Sequence, residues 1–107
     1  MEKEVVDYQK IIRSKYRKLL RLAEKRGGDK EDLSLIRKAY KVSADAHKGV
    51  FRKSGEPYIT HPLEVALIVS EEIGLGPKSI AAALLHDVVE DSEYTNDQIS
   101  HMFGESI

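Results

Sequence analysis

No proline occurs before Pro57, and across this first half apolar residues return every three or four positions, so the segment is suited to long helices. Val5, Tyr8, Ile12, Tyr16, Leu19 and Ala23 trace one apolar stripe on a first helix. Gly27-Gly28 supplies a stop, and Asp29 can cap a second helix whose first turn is acidic. That helix carries Leu33, Ile36, Ala39, Tyr40 and Ala44 on its buried side and is expected to run to about His47. Residues 48–58 lack helical periodicity and contain glycines and a proline, which reads as a loop. Thr60 or His61 is expected to cap a third helix with Pro62 in its first turn, followed by apolar Leu63, Ala66, Leu67 and Val69. Gly74-Leu75-Gly76-Pro77 is a stop and a restart. A fourth helix, from Pro77 to about Asp91, is apolar over most of its surface and therefore central. Thr95-Asn96-Asp97-Gln98 is a capping box opening a short fifth helix that closes at Gly104. No strand is evident. The expected fold is all-α, a bundle of about five helices.

A chain of 107 residues supports one domain with a single core. No apolar run reaches the length of a membrane span, and the charged start Met1-Glu2-Lys3-Glu4 does not read as a signal peptide. Cysteine is absent, which excludes disulfides, thiolate metal sites and cysteine nucleophiles. These features fit a cytoplasmic setting. The net charge of -1 conceals an uneven distribution. Residues 1–53 hold 16 Lys and Arg against 8 Asp and Glu, whereas residues 54–107 hold Lys78 against 10 acidic residues. Either the halves meet partners of opposite sign or they attract each other within the fold.

The chemistry concentrates at Leu84-Leu85-His86-Asp87-Val88-Val89-Glu90-Asp91, with His61 upstream in Tyr58-Ile59-Thr60-His61-Pro62. Two imidazoles and a carboxylate are donors that a divalent transition metal accepts. On the fourth helix Glu90 follows His86 by four residues and Asp87 by three, so the three share a face, and Asp91 is four after Asp87. A cation there also meets the negative end of the helix dipole. Taken singly, His61 reads as a cap, His86 as a core histidine and the Glu90-Asp91 pair as a solvated edge. Together they favour a metal-dependent hydrolase, with Glu90 or Asp91 positioning a water or accepting its proton. The loop residues Arg52-Lys53-Ser54 offer a guanidinium that can stack on a base or chelate phosphate, an ammonium and a hydroxyl. His47 is expected to pack near the loop and His101 to lie on the surface.

The run Ala46-His47-Lys48-Gly49-Val50-Phe51-Arg52-Lys53-Ser54-Gly55-Glu56-Pro57-Tyr58-Ile59-Thr60-His61-Pro62, followed by His86-Asp87-Val88-Val89-Glu90-Asp91, closely resembles the RelA/SpoT homologue family. The likeness covers most of residues 30–107 and is to the N-terminal hydrolase part of the bifunctional stringent-response enzymes, within the all-α HD-domain phosphohydrolases. It implies manganese-dependent removal of the 3′-pyrophosphate from guanosine tetra- or pentaphosphate, giving GDP or GTP. By the same resemblance His61, His86 and Asp87 match metal ligands. Glu90 and Asp91 match the acidic pair that serves the catalytic water. Arg52, Lys53 and Ser54 match the loop that holds guanine and the ribose phosphates. The family's fourth ligand, an Asp, and a nucleotide-contacting Asn lie well beyond the matched region. The chain is therefore expected to be an N-terminal piece of an HD-type hydrolase domain, with an open site and weak or absent turnover. Its parent is expected to carry downstream synthetase and regulatory domains, GTP pyrophosphokinase activity and a possible ribosome association. The rivals are an HD-type phosphohydrolase of another nucleotide and a non-catalytic helical module that docks on another domain or on ribosomal RNA.

Overall fold

A computed structural model of the chain describes residues 6–73 and 76–104; Val5, Gly74, Leu75 and residues 105–107 lie outside the described residues. Helix α1 (Tyr8–Lys25) begins where the Asp7 carboxylate accepts from the Lys10 amide at 3.1 Å. It ends in two nested bonds, Gly27 N–H to Glu24 O at 3.0 Å and Gly28 N–H to Ala23 O at 2.9 Å. Gly27 has φ 89°, and a Cβ on Gly28 would stand 2.7 Å from Ala23 O, so both glycines are required. Helix α2 (Lys30–Ala46) opens with a capping box in which Asp29 and Asp32 each accept the other's backbone N–H.

The loop that follows is more ordered than its composition suggests. Arg52 N–H donates to Glu56 O and Gly55 N–H to Arg52 O, both at 2.8 Å, while Tyr58 N–H donates to Val50 O at 2.9 Å. Phe51 and Pro57 form an isolated antiparallel bridge across it. Helix α3 (Thr60–Ile68) then starts without a side-chain cap, contrary to the expectation for Thr60 or His61. The Thr60 hydroxyl instead donates to Pro57 O at 2.8 Å, and Ile59 is already helical, so the turn runs straight into the helix. A π-helical turn (Val69–Ile73) takes Val69 out of α3.

The expected fourth helix is divided. Helix α4 (Pro77–Leu85) and the single turn α5 (Val88–Asp91) are separated at His86-Asp87, and α6 (Asn96–Phe103) closes the described chain. The His86 ring Nδ1 lies 2.6 Å from Ala83 O, the carbonyl a continuing helix would offer to the Asp87 amide. Helix α6 has the expected box, with Thr95 Oγ1 accepting from Gln98 N–H at 3.1 Å and Gln98 Oε1 from Thr95 N–H at 2.9 Å.

Helix α4 is central, lying against both α2 and α3, while α1 lies against α3. Leu19, Ile36, Leu63, Ile80, Leu84 and Val88 are fully buried between these helices. The two charged halves meet in the partly exposed pairs Lys15–Glu64 at 3.7 Å and Lys18–Glu71 at 3.4 Å, each of modest worth in solvent.

Tyr16 stacks on Tyr40 with ring centroids 4.1 Å apart, joining α1 to α2. Burial pushes both phenols above their ordinary pKa, with Arg37 partly opposing this at Tyr16. The folded chain therefore keeps these protons to higher pH than the unfolded chain. The stabilisation is complete below about pH 10 and is lost as pH climbs through the raised values. Thermal midpoints should fall above about pH 10, and Tyr16→Phe should flatten that decline; an unaltered slope in the variant would exclude Tyr16 as its source.

Candidate metal centre

The break between α4 and α5 points consecutive side chains at one spot. Asp87, in the sparsely populated backbone region at φ -103° and ψ 0°, turns its carboxylate towards the start of α3. Its Oδ2 lies 2.9 Å from His86 Nε2 and 4.0 Å from His61 Nε2. One potential ligand atom from each of His61, His86 and Asp87 falls within 4.8 Å of the others. Among the described residues this is the group of His and acidic side chains that could hold a metal ion.

The surroundings fit that use. A carbonyl can only accept, so the contact with Ala83 O places a proton on His86 Nδ1 and turns Nε2 towards the cluster. The His61 and His86 rings meet edge to face, with centroids 5.6 Å apart. The three side chains are partly exposed, so the centre is open to solvent. Two nitrogens and an oxygen suit a borderline divalent ion and leave coordination positions for water or substrate.

Two cavities bear on the site, one along the loop of residues 50–58 and one with His86 in its wall. One of about 610 Å³ is lined by Val50, Phe51, Arg52, Lys53, Ser54 and Tyr58. The other, about 370 Å³, is lined by His86, Glu90 and Asn96 with Ala82, Leu85, Val89 and Ile99. Glu90 thus shares a cavity wall with His86 across the helix break. The side chain of Asp91 lies outside the described residues. Arg52 is not a free cation: its Nη1 donates to Glu56 Oε1 at 3.1 Å. Lys53 and Ser54 are exposed.

Tyr58 carries more of the site than its sequence setting indicates. Its hydroxyl donates to Asp87 Oδ2 at 2.7 Å. The signal available was position alone, since Tyr58 precedes His61 by three residues on a proline-led turn. His47 is 3% exposed and its Nδ1 lies 2.9 Å from Ser43 O, the packed role expected near the loop. His101 is exposed, as expected.

An all-α fold with consecutive His and Asp at a helix break, facing a histidine from another helix, defines a class. Residues 39–107 match the family described as HD domain, and the chain belongs to that family. It is 52% identical over 66 residues to the guanosine-3′,5′-bis(diphosphate) 3′-pyrophosphohydrolase of Haemophilus influenzae, covering 62% of this chain and 10% of that protein. It is 47% identical over 77 residues to the bifunctional (p)ppGpp synthase/hydrolase SpoT of Escherichia coli, covering 72% and 11% respectively. It is 49% identical over 76 residues to a GTP pyrophosphokinase of Myxococcus xanthus, covering 71% and 10%. The resemblance to RelA/SpoT homologues is thereby borne out, and the chain spans about a tenth of the length of these curated relatives.

Proposed function

We propose that this chain is the N-terminal part of an HD-type domain that removes the 3′-pyrophosphate from guanosine tetra- or pentaphosphate, in a longer protein that also carries GTP pyrophosphokinase activity. The observation that carries the reading is the close approach of His61, His86 and Asp87 beside a cavity walled by Arg52, Lys53 and Ser54. These three residues would hold a divalent ion, which we take to be manganese. When bound, the ion supplies Lewis-acid chemistry, polarising a phosphoryl oxygen and acidifying water.

The chain's own residues supply the rest. Lys53 neutralises phosphate charge as a mobile ammonium. The Arg52 guanidinium, held at one edge by Glu56, is steadied for stacking of its planar face on a purine. Ser54 contributes a hydroxyl to the ribose phosphates. Glu90, with Asp91 beside it, accepts one proton from the water that attacks the phosphorus bonded to O3′; the P–O3′ bond breaks, the 3′ oxygen takes up a proton from solvent, and the water oxygen departs within pyrophosphate. The exposed Lys10, Arg13, Arg17, Arg21 and Lys25 on the outer side of α1 remain open to acidic surfaces of the downstream synthetase and regulatory domains, or to ribosomal RNA. The setting proposed for the parent is cytoplasmic; among the described residues no helix is long and apolar enough to cross a membrane.

A calorimetric manganese titration of the chain beside His61→Ala tests the metal reading. Saturable binding should weaken more than tenfold in the variant. No binding in either protein, or equal binding in both, would remove these residues as ligands. Release of pyrophosphate from guanosine tetraphosphate by the full-length protein, with ordinary guanosine triphosphate as competitor, tests the substrate. Equal preference would favour the rival HD-type phosphohydrolase of another nucleotide.

A further inference from the structure

We propose that Tyr58 is a positioning residue for Asp87, at the head of a column of side chains running from α2 into the metal centre; this rests on the metal reading above. The column begins at His47, a buried imidazole whose Nδ1 is fastened to Ser43 O in the last turns of α2. The His47 ring lies against the Tyr58 ring, centroids 4.6 Å apart and planes tilted by 34°. On its other side Tyr58 meets the His61 ring edge to face at 5.7 Å. Its backbone is pinned as well, through its N–H to Val50 O at 2.9 Å and through its carbonyl, which accepts from the His61 amide at 2.9 Å. A phenol held at ring and backbone presents its hydroxyl in one direction. That direction is Asp87 Oδ2, at 2.7 Å.

The bond matters because Asp87 Oδ2 also lies 2.9 Å from His86 Nε2, so the two lone-pair donors face one another and the carboxylate must be held in place for a cation to be shared between them. A carboxylate oxygen carries two lone pairs, and a phenol donor on one fixes the rotation of the group while leaving the other lone pairs for a cation. Outer partners that orient a ligand in this way typically contribute about 10–100-fold to metal affinity. Tyr58 also lines the loop cavity with Arg52, Lys53 and Ser54, so one ring touches both the substrate loop and the metal ligands.

The alternative is that Tyr58 only packs. Tyr58→Phe separates the two, since it keeps the ring contacts and removes the hydroxyl. Manganese binding should weaken by about 10–100-fold, read by calorimetry and by the electron paramagnetic resonance of free manganese, with the helical circular dichroism of the metal-free protein unchanged. Tyr16→Phe, a matched deletion between α1 and α2, should leave affinity at the wild-type value. If Tyr58→Phe binds as the wild type does while His61→Ala does not, the positioning role is overturned and the metal reading survives. If Tyr16→Phe weakens binding as much as Tyr58→Phe, the effect is general loosening and the assignment also falls. If the wild type fails to bind, both readings fall together.

Discussion

Glu90→Gln is expected to lower hydrolysis of guanosine tetraphosphate by the full-length protein by about 10²–10⁴-fold while leaving manganese affinity unchanged. Glu90 follows the helix break by three residues and lines the same cavity as His86, yet it lies outside the group of three whose ligand atoms converge. Its side chain is exposed and makes no hydrogen bond or ion pair within the described residues. A carboxylate beside the centre with its lone pairs uncommitted can receive a proton. An amide of the same shape cannot, although it still accepts hydrogen bonds. Initial rates together with a manganese titration check both halves of this expectation. A variant that keeps its rate would transfer the base role to Asp91. One that loses rate and metal affinity together would make Glu90 a ligand.

The parts of the fold that depend on local chemistry are legible in the sequence. Gly27-Gly28, the Asp29 cap and the Thr95 box announce helix ends because each rests on backbone groups satisfied within a few residues. The apolar stripe of α1 named Ile12, Leu19 and Ala23 correctly for the same reason, since helical spacing alone decides a face. The break at His86-Asp87 was not legible. Leu84, Leu85, Val88 and Val89 continue an apolar run through it, and periodicity does not register a helix ended by an imidazole on its own third-preceding carbonyl. The triad could be named by residue type, whereas its geometry depends on that break. Tyr58 was overlooked because its role comes from a contact 29 positions away. The pairing of Arg52 with Glu56 is not legible in the sequence, because the loop brings Glu56 back onto it and loop residues give no spacing rule to anticipate this.

Leu84→Ala is expected to cost about 2–5 kcal/mol of folding stability, measured as the shift in urea unfolding at constant slope. Leu84 is fully buried in α4, the helix that lies against both α2 and α3, so truncation leaves a cavity that three helices must relax to fill. Domains of this kind hold about 5–15 kcal/mol in total, so the loss is a large fraction of the whole. The position also tests how far the metal centre depends on the core, because His86 and Asp87 follow Leu84 by only two and three residues. If the ligands are positioned mainly by the contacts of His86 with Ala83 O and of Asp87 with Tyr58, the cavity should lower stability without altering metal affinity. Manganese at about 100 times its wild-type dissociation constant should then return about 2.7 kcal/mol to the wild type and to Leu84→Ala alike, and less than about 1.4 kcal/mol to His61→Ala, whose affinity is more than tenfold weaker. A Leu84→Ala protein that stays helical but no longer gains stability from manganese would show the opposite, that the packing of α4 itself holds the ligands in register.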